Sequence, residues 1–277
     1  MQSYRAFIAD PIRRPVVVAH RGAWHAAPEN SLGAIRAAAE ARADVVEIDI
    51  RCSVDGVLFL MHDDTLDRTT ACAGAAESRT MAELSAMPLR AGAGGPGTAA
   101  TGPDRVPTLA AAFDAARAAG VYLDLDVKRR ALLEPAAALA AEKGMSARVS
   151  VKMPVRTADD LARLRQIAAS HGIMVMPQAR FGPDGAAPLA QLVATGAPMV
   201  EAFFDDLAAL APHRAALAAA GLSVWVNTLD LVAPPALSDS HALDAPDAVW
   251  GRLIAAGVSV FQTDHPTALA RYLDTLG

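Results

Sequence analysis

Two acids stand two residues apart in an otherwise apolar run, Glu47-Ile-Asp49 within VVEIDIR. In an extended strand such residues share a face. Buried like charges repel and are costly unless a positive partner lies between them. A hard divalent metal, which takes oxygen ligands, would satisfy them; a salt-bridge network with Arg21 and Arg51 is the alternative. Asp124-Leu-Asp126-Val-Lys128 repeats the arrangement, adding a third carboxylate at Asp126 and, at Lys128, a cation of a size to meet phosphate. The alternative here is a charged face turned outward toward helices. His20-Arg21-Gly22 follows VVVA and places an imidazole and a guanidinium where Gly22 lets the chain turn sharply; the bland reading is a surface pair at a turn. Lys152, Glu201, Trp225, Asn227 and Thr263-Asp264 also fall at strand ends, where each alone could be structural.

Short β-branched runs alternate with Ala/Leu-rich runs of helical period. Strands are expected near 16–19, 44–51, 57–62, 121–127, 148–152, 173–176, 199–202, 223–227 and 258–262, with helices near 32–41, 109–119, 158–170, 207–220 and 248–256. Gly120, Gly172, Gly221 and Gly257 stand as helix stops directly before strands. This alternation builds parallel βαβ units. About eight units in about 250 residues is the size of an α/β (β/α)8 TIM barrel, with a doubly wound open sheet as second choice. In the barrel, polar residues at strand C-termini collect on the active-site face.

The ninth strand follows from Asp55-Gly56, a strong hairpin signal. Residues 44–54 should rise out of the barrel, turn, and return as 57–62, a hairpin protruding after strand 2. A two-residue turn pairs Val54 with Val57 and sets Asp49 opposite His62, with Cβ atoms roughly 5 Å apart. Residues 71–105 break the alternation with AGAGGPGTAATGP. They read as an insertion over the barrel mouth, within a single domain spanning 1–277, and Thr80 with Glu83 predicts a capping box there. Residues 230–246 read as another loop.

The chain has 277 residues, 53% apolar and 20% charged, which excludes a disordered chain and leaves ample material for a core. Its 25 Lys and Arg against 30 Asp and Glu give a net charge of −5, and aromatics are 5%. Both figures argue against nucleic acid as a partner. Cys52 and Cys72 form neither a disulfide framework nor a zinc spacing, so free thiols in a reducing compartment, the cytoplasm, are expected. No apolar leader opens the sequence, and no run of roughly 18 apolar residues predicts a membrane span.

AHRG, then PENS after five residues, then VEIDIRCSVDGVLFLMHDDTLDRTT together resemble the glycerophosphodiester phosphodiesterases. VPTLAAAFDAA, YLDLDVK, SVWVNT and GVSVFQTDHPTAL are similar to further blocks of that family, in family order, so the resemblance runs from His20 to Pro266. It implies a TIM barrel of the phosphatidylinositol-phospholipase-C-like type and one divalent cation, usually Ca²⁺ or Mg²⁺, with Mn²⁺ possible. By the same resemblance Glu47 and Asp49 match metal ligands, and Asp126 stands where the family usually has Glu. His20 and His62 match the two catalytic histidines, Arg21 matches the phosphate-binding arginine, and Lys128 matches a lysine that supports the site. The shorter Asp126 leaves room for help from Asp124 or a bridging water. Lys152 stands where many members carry Ser and adds positive charge near the phosphate; with Trp225 it joins the candidates for substrate binding.

The implied reaction is hydrolysis of a small-molecule glycerophosphodiester to glycerol 3-phosphate and an alcohol. One histidine serves as base and the other as acid, with His20 as base in the first assignment and the reverse order open. The nucleophile is water or the glycerol 2-hydroxyl, the latter through a cyclic phosphate. Neighbouring carboxylates should favour the protonated imidazoles. Two other readings stand beside this one: the same chemistry on a lysophospholipid or other diester, and a catalytically silent ligand-binding barrel. A lysophospholipid needs an apolar groove. Residues 71–105 offer little apolar bulk beyond Met81, Leu84, Met87 and Leu89, which favours a small soluble headgroup. The oligomeric state is not legible.

Overall fold

The computed structural model describes residues 1–100, 102–182 and 189–277. Its strands are β1 (Val16–His20), β2 (Val45–Cys52), β3 (Leu58–Leu60), β4 (Tyr122–Val127), β5 (Val149–Pro154), β6 (Met174–Arg180), β7 (Met199–Phe203), β8 (Ser223–Asn227) and β9 (Val258–Thr263). Eight of them run parallel and close into a ring in the order β1-β2-β4-β5-β6-β7-β8-β9, with β9 returning to β1. β3 pairs antiparallel with β2 outside the ring. The fold is a (β/α)8 TIM barrel with a protruding hairpin.

Period two divides the burial. On β1, Val17 and Ala19 pack against the helical shell, whereas Val16 and Val18 point into the barrel. The interior layer at the N-terminal end is filled by large side chains such as Met174, Met176, Met199 and Trp225. A helix that the sequence reading did not anticipate, Tyr4–Ala9, seals this end. Its Tyr4 is fully buried and stacks on Tyr122 at 4.7 Å between ring centroids.

Outside, Ser31, Thr108 and Thr157 cap the helices Leu32–Glu40, Leu109–Ala119 and Ala158–His171. Gly120 (φ 73) and Gly172 (φ 62) stop the second and third of these in the left-handed region. The expected helix over 207–220 is split into a 3₁₀ turn, Leu207–Leu210, and a helix, Arg214–Ala219. Pro212 lies at the break, where it has no N–H to give to a continuing helix. Residues 230–246 hold a 3₁₀ turn, Pro235–Leu237, and a helix, Asp239–Asp244, rather than loop alone. No helix among the described residues is long and apolar enough to cross a membrane.

The hairpin register differs by one residue from the expectation. Ser53, not Val54, pairs with Val57: the Ser53 N–H donates to the Val57 carbonyl at 2.9 Å. A three-residue loop with Gly56 at φ 82 closes the turn, the arrangement of a turn followed by a left-handed glycine. Met61 therefore lies opposite Asp49, its N–H donating to the Asp49 carbonyl at 3.1 Å. β3 ends at Leu60, so strand alternation no longer governs His62.

The capping box of Thr80 and Glu83 is present and starts the helix Met81–Ala86. Met81, Leu84 and Leu89 pack with Phe59, Met61, Leu66 and Val106 into a small second core, and Met87 packs against it.

Candidate active site

Strand register assembles the acids. His20 lies beside Glu47, Glu47 beside Asp124, and Asp49 beside Asp126. Glu47, Asp49 and Asp126 each offer a carboxylate oxygen, and these oxygens lie within 4.8 Å of one another. Two oxygens bound to one cation at about 2.3–2.6 Å can be no more than about 5 Å apart, so the spacing fits a single ion. The electrostatics fit as well. Glu47 is 1% exposed, and among the described residues its one hydrogen-bond donor is the Arg21 N–H at 3.2 Å. Burial, with Asp49 alongside, pushes the Glu47 carboxyl up to about 7. For Asp49, burial is outweighed by Lys128, Arg21 and His62, which hold it well below the usual carboxylate range. Unequal affinity for the proton is what two adjacent buried carboxylates must show.

Lys128 Nζ sits 2.5 Å from Asp49 Oδ1 and 2.9 Å from Asp126 Oδ2. It lines the cavity and is the counter-charge of two carboxylates. Arg21 Nε lies 3.3 Å from Asp49 Oδ2. Part of the salt-bridge alternative is thus present at Asp49, while among the described residues no side-chain cation forms an ion pair with Glu47. Arg51 does not join it. Its guanidinium donates instead to the His62 carbonyl at 2.7 and 3.2 Å, tying the hairpin end to β2.

The turn after β1 is tight for a physical reason. Gly22 has φ 85, and a Cβ there would meet the Ala34 Cβ at 2.6 Å. Arg21 itself is left-handed at φ 55, as is Asn30 at φ 54; such positions cost energy and persist where surrounding contacts enforce them. Arg21 donates to both oxygens of Glu29, at 3.1 and 3.3 Å. Arg68 grips Glu29 in a fork at 2.6 and 2.7 Å, and Asp63 in a second fork at 2.8 Å on each oxygen.

Each histidine leans on a carboxylate. His20 Nδ1 is 2.8 Å from Asp264 Oδ1, which also accepts from Trp24 Nε1 at 2.8 Å. His62 Nδ1 is 2.8 Å from Asp63 Oδ1. A carboxylate accepts, so Nδ1 of each ring carries hydrogen and Nε2 is left for other work. The expectation that carboxylates favour protonated imidazoles is corrected at His62. Burial lowers its pKa, the Asp49 charge only partly opposes this, and Arg21 lowers it further.

Beneath this layer lies a second polar group. Lys152 Nζ is 3.2 Å from Asp124 Oδ2 and 3.8 Å from Glu201 Oε2. Ser150 donates to Asp124 Oδ1 at 2.5 Å, so Asp124, fully buried, is committed downward and does not assist Asp126. Gln178 and Asn227 donate to Glu201 at 2.7 and 2.9 Å. Trp225 is corrected as a substrate contact. It is 0% exposed, does not line the cavity, and donates Nε1 to Asn227 Oδ1 at 3.0 Å. Its inward-facing position on β8 puts it in the layer below the cavity floor, with Lys152 Nζ 5.6 Å from the ring centre.

The cavity holds about 830 Å³ and is lined by His20, Arg21, Glu47, Asp49, His62, Asp126, Lys128 and Lys152 together. Of the nine candidate site residues, only Trp225 is left out. Its other walls include Trp24, Glu29, Asp63, Arg68, Ala93 and Asp264, and an apolar group of Phe203, Leu229, Leu231 and Val232. Sequence reasoning assigned no role to Glu29, Asn30, Asp63 or Arg68. The signal was available: Glu29 and Asn30 lie inside PENS, and Asp63 directly follows His62.

A profile of the Glycerophosphoryl diester phosphodiesterase family matches residues 20–268. Glycerophosphodiester phosphodiesterase 1 of Rattus norvegicus is 54% identical over 63 residues, 23% of this chain and 19% of that protein, so the alignment spans about a fifth of the relative's length. A solved glycerophosphodiester phosphodiesterase from Agrobacterium tumefaciens superposes with a TM-score of 0.66 at 25% identity, covering 93% of this chain and 99% of that one. A phosphodiesterase from Oleispira antarctica, solved in complex with the product sn-glycerol-3-phosphate, shares the fold with a TM-score of 0.68 at 24% identity, covering 94% and 97%.

Proposed function

The chain belongs to the glycerophosphoryl diester phosphodiesterase family, and from that premise we propose that it hydrolyses glycerophosphodiesters to glycerol 3-phosphate and an alcohol with one divalent cation, Ca²⁺ or Mg²⁺, or Mn²⁺ in their place. The observation that carries the proposal is the meeting of Glu47, Asp49 and Asp126 within 4.8 Å, in one cavity with two carboxylate-braced histidines. The product in the Oleispira antarctica complex agrees with it.

Glu47, Asp49 and Asp126 would hold the cation, which when bound polarises phosphoryl oxygen as a Lewis acid. Arg21 and Lys128 add fixed positive charge where the equatorial oxygens become more negative. His20 Nε2 takes the proton of the attacking hydroxyl, while Asp264 holds the ring and steadies the imidazolium. The new P–O bond forms as the bond to the departing alcohol breaks, and His62, entering the step as the imidazolium, gives its Nε2 proton to that alcohol. Asp63, clamped by Arg68, keeps His62 in place. Water attacking directly gives glycerol 3-phosphate; the glycerol 2-hydroxyl gives a cyclic phosphate first, which a second step opens by adding water, with the same base taking the water's proton. The insertion proposed over residues 71–105, of which 101 lies outside the described residues, contributes Ala93 to the cavity wall. The free thiols Cys52 and Cys72 suit a reducing compartment, and the cytoplasm is the proposed location.

The test is choline release from glycerophosphocholine after chelation and after return of Ca²⁺, Mg²⁺ or Mn²⁺. Turnover is expected only with a cation present. Undiminished turnover in chelator, or none with any of the three ions, would overturn the proposal.

A further inference from the structure

We propose that Asp239 is a positioning residue for the reaction: it fixes Asp264 just past the end of β9, and through Asp264 it sets the imidazole of His20, the base. The inference rests on the phosphodiesterase reading above and adds to it a residue that does not line the cavity.

The strand ladder does not reach the brace of His20. The pairing of β9 with β1 ends at Thr263 beside Ala19, so Asp264 lies one residue beyond it. Asp239 takes over there. Its Oδ2 accepts the Asp264 N–H at 2.8 Å, and its Oδ1 accepts from the Thr263 hydroxyl at 2.7 Å. The Thr263 hydroxyl in turn accepts the His265 N–H at 2.9 Å, so the turn over 263–265 is held at each of its three residues. Asp264 is thereby placed to offer Oδ1 to His20 Nδ1 and to Trp24 Nε1, each at 2.8 Å. The line of contacts from Asp239 to the base contains a single intermediate residue.

Asp239 is itself immobilised from the other side. Its Oδ1 also accepts from the Thr228 hydroxyl at 2.5 Å, just past the end of β8, and its own N–H donates to the Thr228 carbonyl at 2.5 Å. The next residue, Ser240, gives its N–H and its hydroxyl to the Asp230 carboxylate at 2.9 and 2.5 Å. One acid thus joins the ends of β8 and β9. It is 1% exposed, and among the described residues its partners are neutral donors. Burial pushes its carboxyl up against the pull of those donors. A buried carboxylate costs free energy unless hydrogen bonds offset the lost hydration. Two of the three groups that donate to it belong to Thr263 and Asp264, the segment that carries the brace. Its cost is therefore tied to the placement of that segment.

The experiment measures choline release from glycerophosphocholine with the most effective of Ca²⁺, Mg²⁺ and Mn²⁺ at saturation. Asp239→Ala leaves the Asp264 N–H without its acceptor. Its kcat should fall about tenfold to a hundredfold, the scale of a roughly 1 Å misplacement at a reacting group. KM and the Kd of the cation should stay within about threefold. Asp239→Asn should bring kcat back to within about threefold of wild type: its amide oxygen keeps the Asp264 N–H while the Thr228 hydroxyl turns to the Gln262 carbonyl, 3.1 Å away. Asp264→Ala supplies the second arm. With that brace gone, adding Asp239→Ala should cost no more than about a further threefold, because a residue that acts through another is not additive with it. Should Asp239→Ala fail to fold, Asp239→Glu takes its place, with the carboxylate one methylene out of position and the same fall in kcat alone required of it. Losses that multiply in the double variant, a kcat left at the wild-type value, or equal losses in kcat and cation affinity overturn this inference and leave the phosphodiesterase reading standing. No choline from the wild type with any of the three ions overturns both.

Discussion

Asn30 holds Asp49 at two points. Its amide nitrogen donates to Asp49 Oδ2 at 2.7 Å, and its amide oxygen accepts from the Asp49 backbone N–H at 3.0 Å. The backbone contact decides the amide orientation, because only the oxygen can receive that N–H. Asn30 is 3% exposed and left-handed, so the loop before the helix Leu32–Glu40 is shaped to deliver this one clasp to β2. Partners of this kind fix the orientation of a ligating carboxylate.

Asn30→Ala should therefore weaken divalent-metal affinity and kcat/KM by about 10–100-fold, the usual cost of losing an outer-shell partner. Isothermal titration with Mn²⁺ measures the first and choline release the second. Affinity within threefold of wild type would mean that Asp49 orients itself without the clasp.

The two acids of β4 should separate cleanly. Asp126→Asn is expected to weaken metal binding at least tenfold. Asp124→Asn should leave the metal Kd within about threefold while lowering stability, because it strips Lys152 of a buried counter-charge, a class of change that costs about 3–5 kcal/mol. Parallel metal titrations and urea unfolding curves distinguish the two. Equal effects on metal affinity would remove the division of labour drawn here.

Glu47 carries a pH signature. Burial beside Asp49 raises its folded value from 4.5 to about 7. A raised carboxyl contributes stability that is complete below the unfolded value and lost as pH rises through the folded one. Metal-free protein should thus become less stable between about pH 4.5 and 7, by an amount on the order of 3 kcal/mol. Glu47→Gln should flatten that part of the profile and abolish metal binding. In the wild type, metal affinity should fall as pH drops below about 7, where proton and metal compete for one carboxylate. Thermal melts across pH, with and without metal, report both; an unchanged profile in the Gln variant would assign the titration to another group.

For His62, burial sets the direction: its pKa is lowered from 6.5. In metal-free protein its imidazole resonances should titrate with a midpoint below 6.5, assigned by their absence in His62→Ala. That variant should lose about two to four orders of magnitude in turnover, as expected for lost acid–base catalysis, while binding metal normally. Turnover near wild type would take His62 out of the reaction.

The barrel was legible because strands alternate with helical runs, several of which stop on a glycine just before the next strand, as at Gly120 and Gly172. The carboxylate cluster was legible because Glu47-x-Asp49 and Asp124-x-Asp126 need only period two and parallel pairing to meet. What sequence could not fix was register at the hairpin. Whether Asp55-Gly56 closes a two- or three-residue loop depends on how Ser53 pairs with Val57, and that single residue moved His62 off the position opposite Asp49. Trp225 was misread because strand-end position gives height along the barrel only to within one layer. Glu29, Arg68 and Asp63 went unassigned because they lie in loops, where no periodicity announces which charges meet, and Glu29 and Arg68 stand 39 residues apart.

The plug formed by Tyr4 and Tyr122 makes the cylinder a cul-de-sac. A ligand of the carboxylate cavity can therefore enter and leave only by the mouth at the C-terminal ends of the strands. If the proposed hydrolysis holds, the phosphomonoester and fresh substrate would contend for that one entrance, and product should inhibit competitively with substrate.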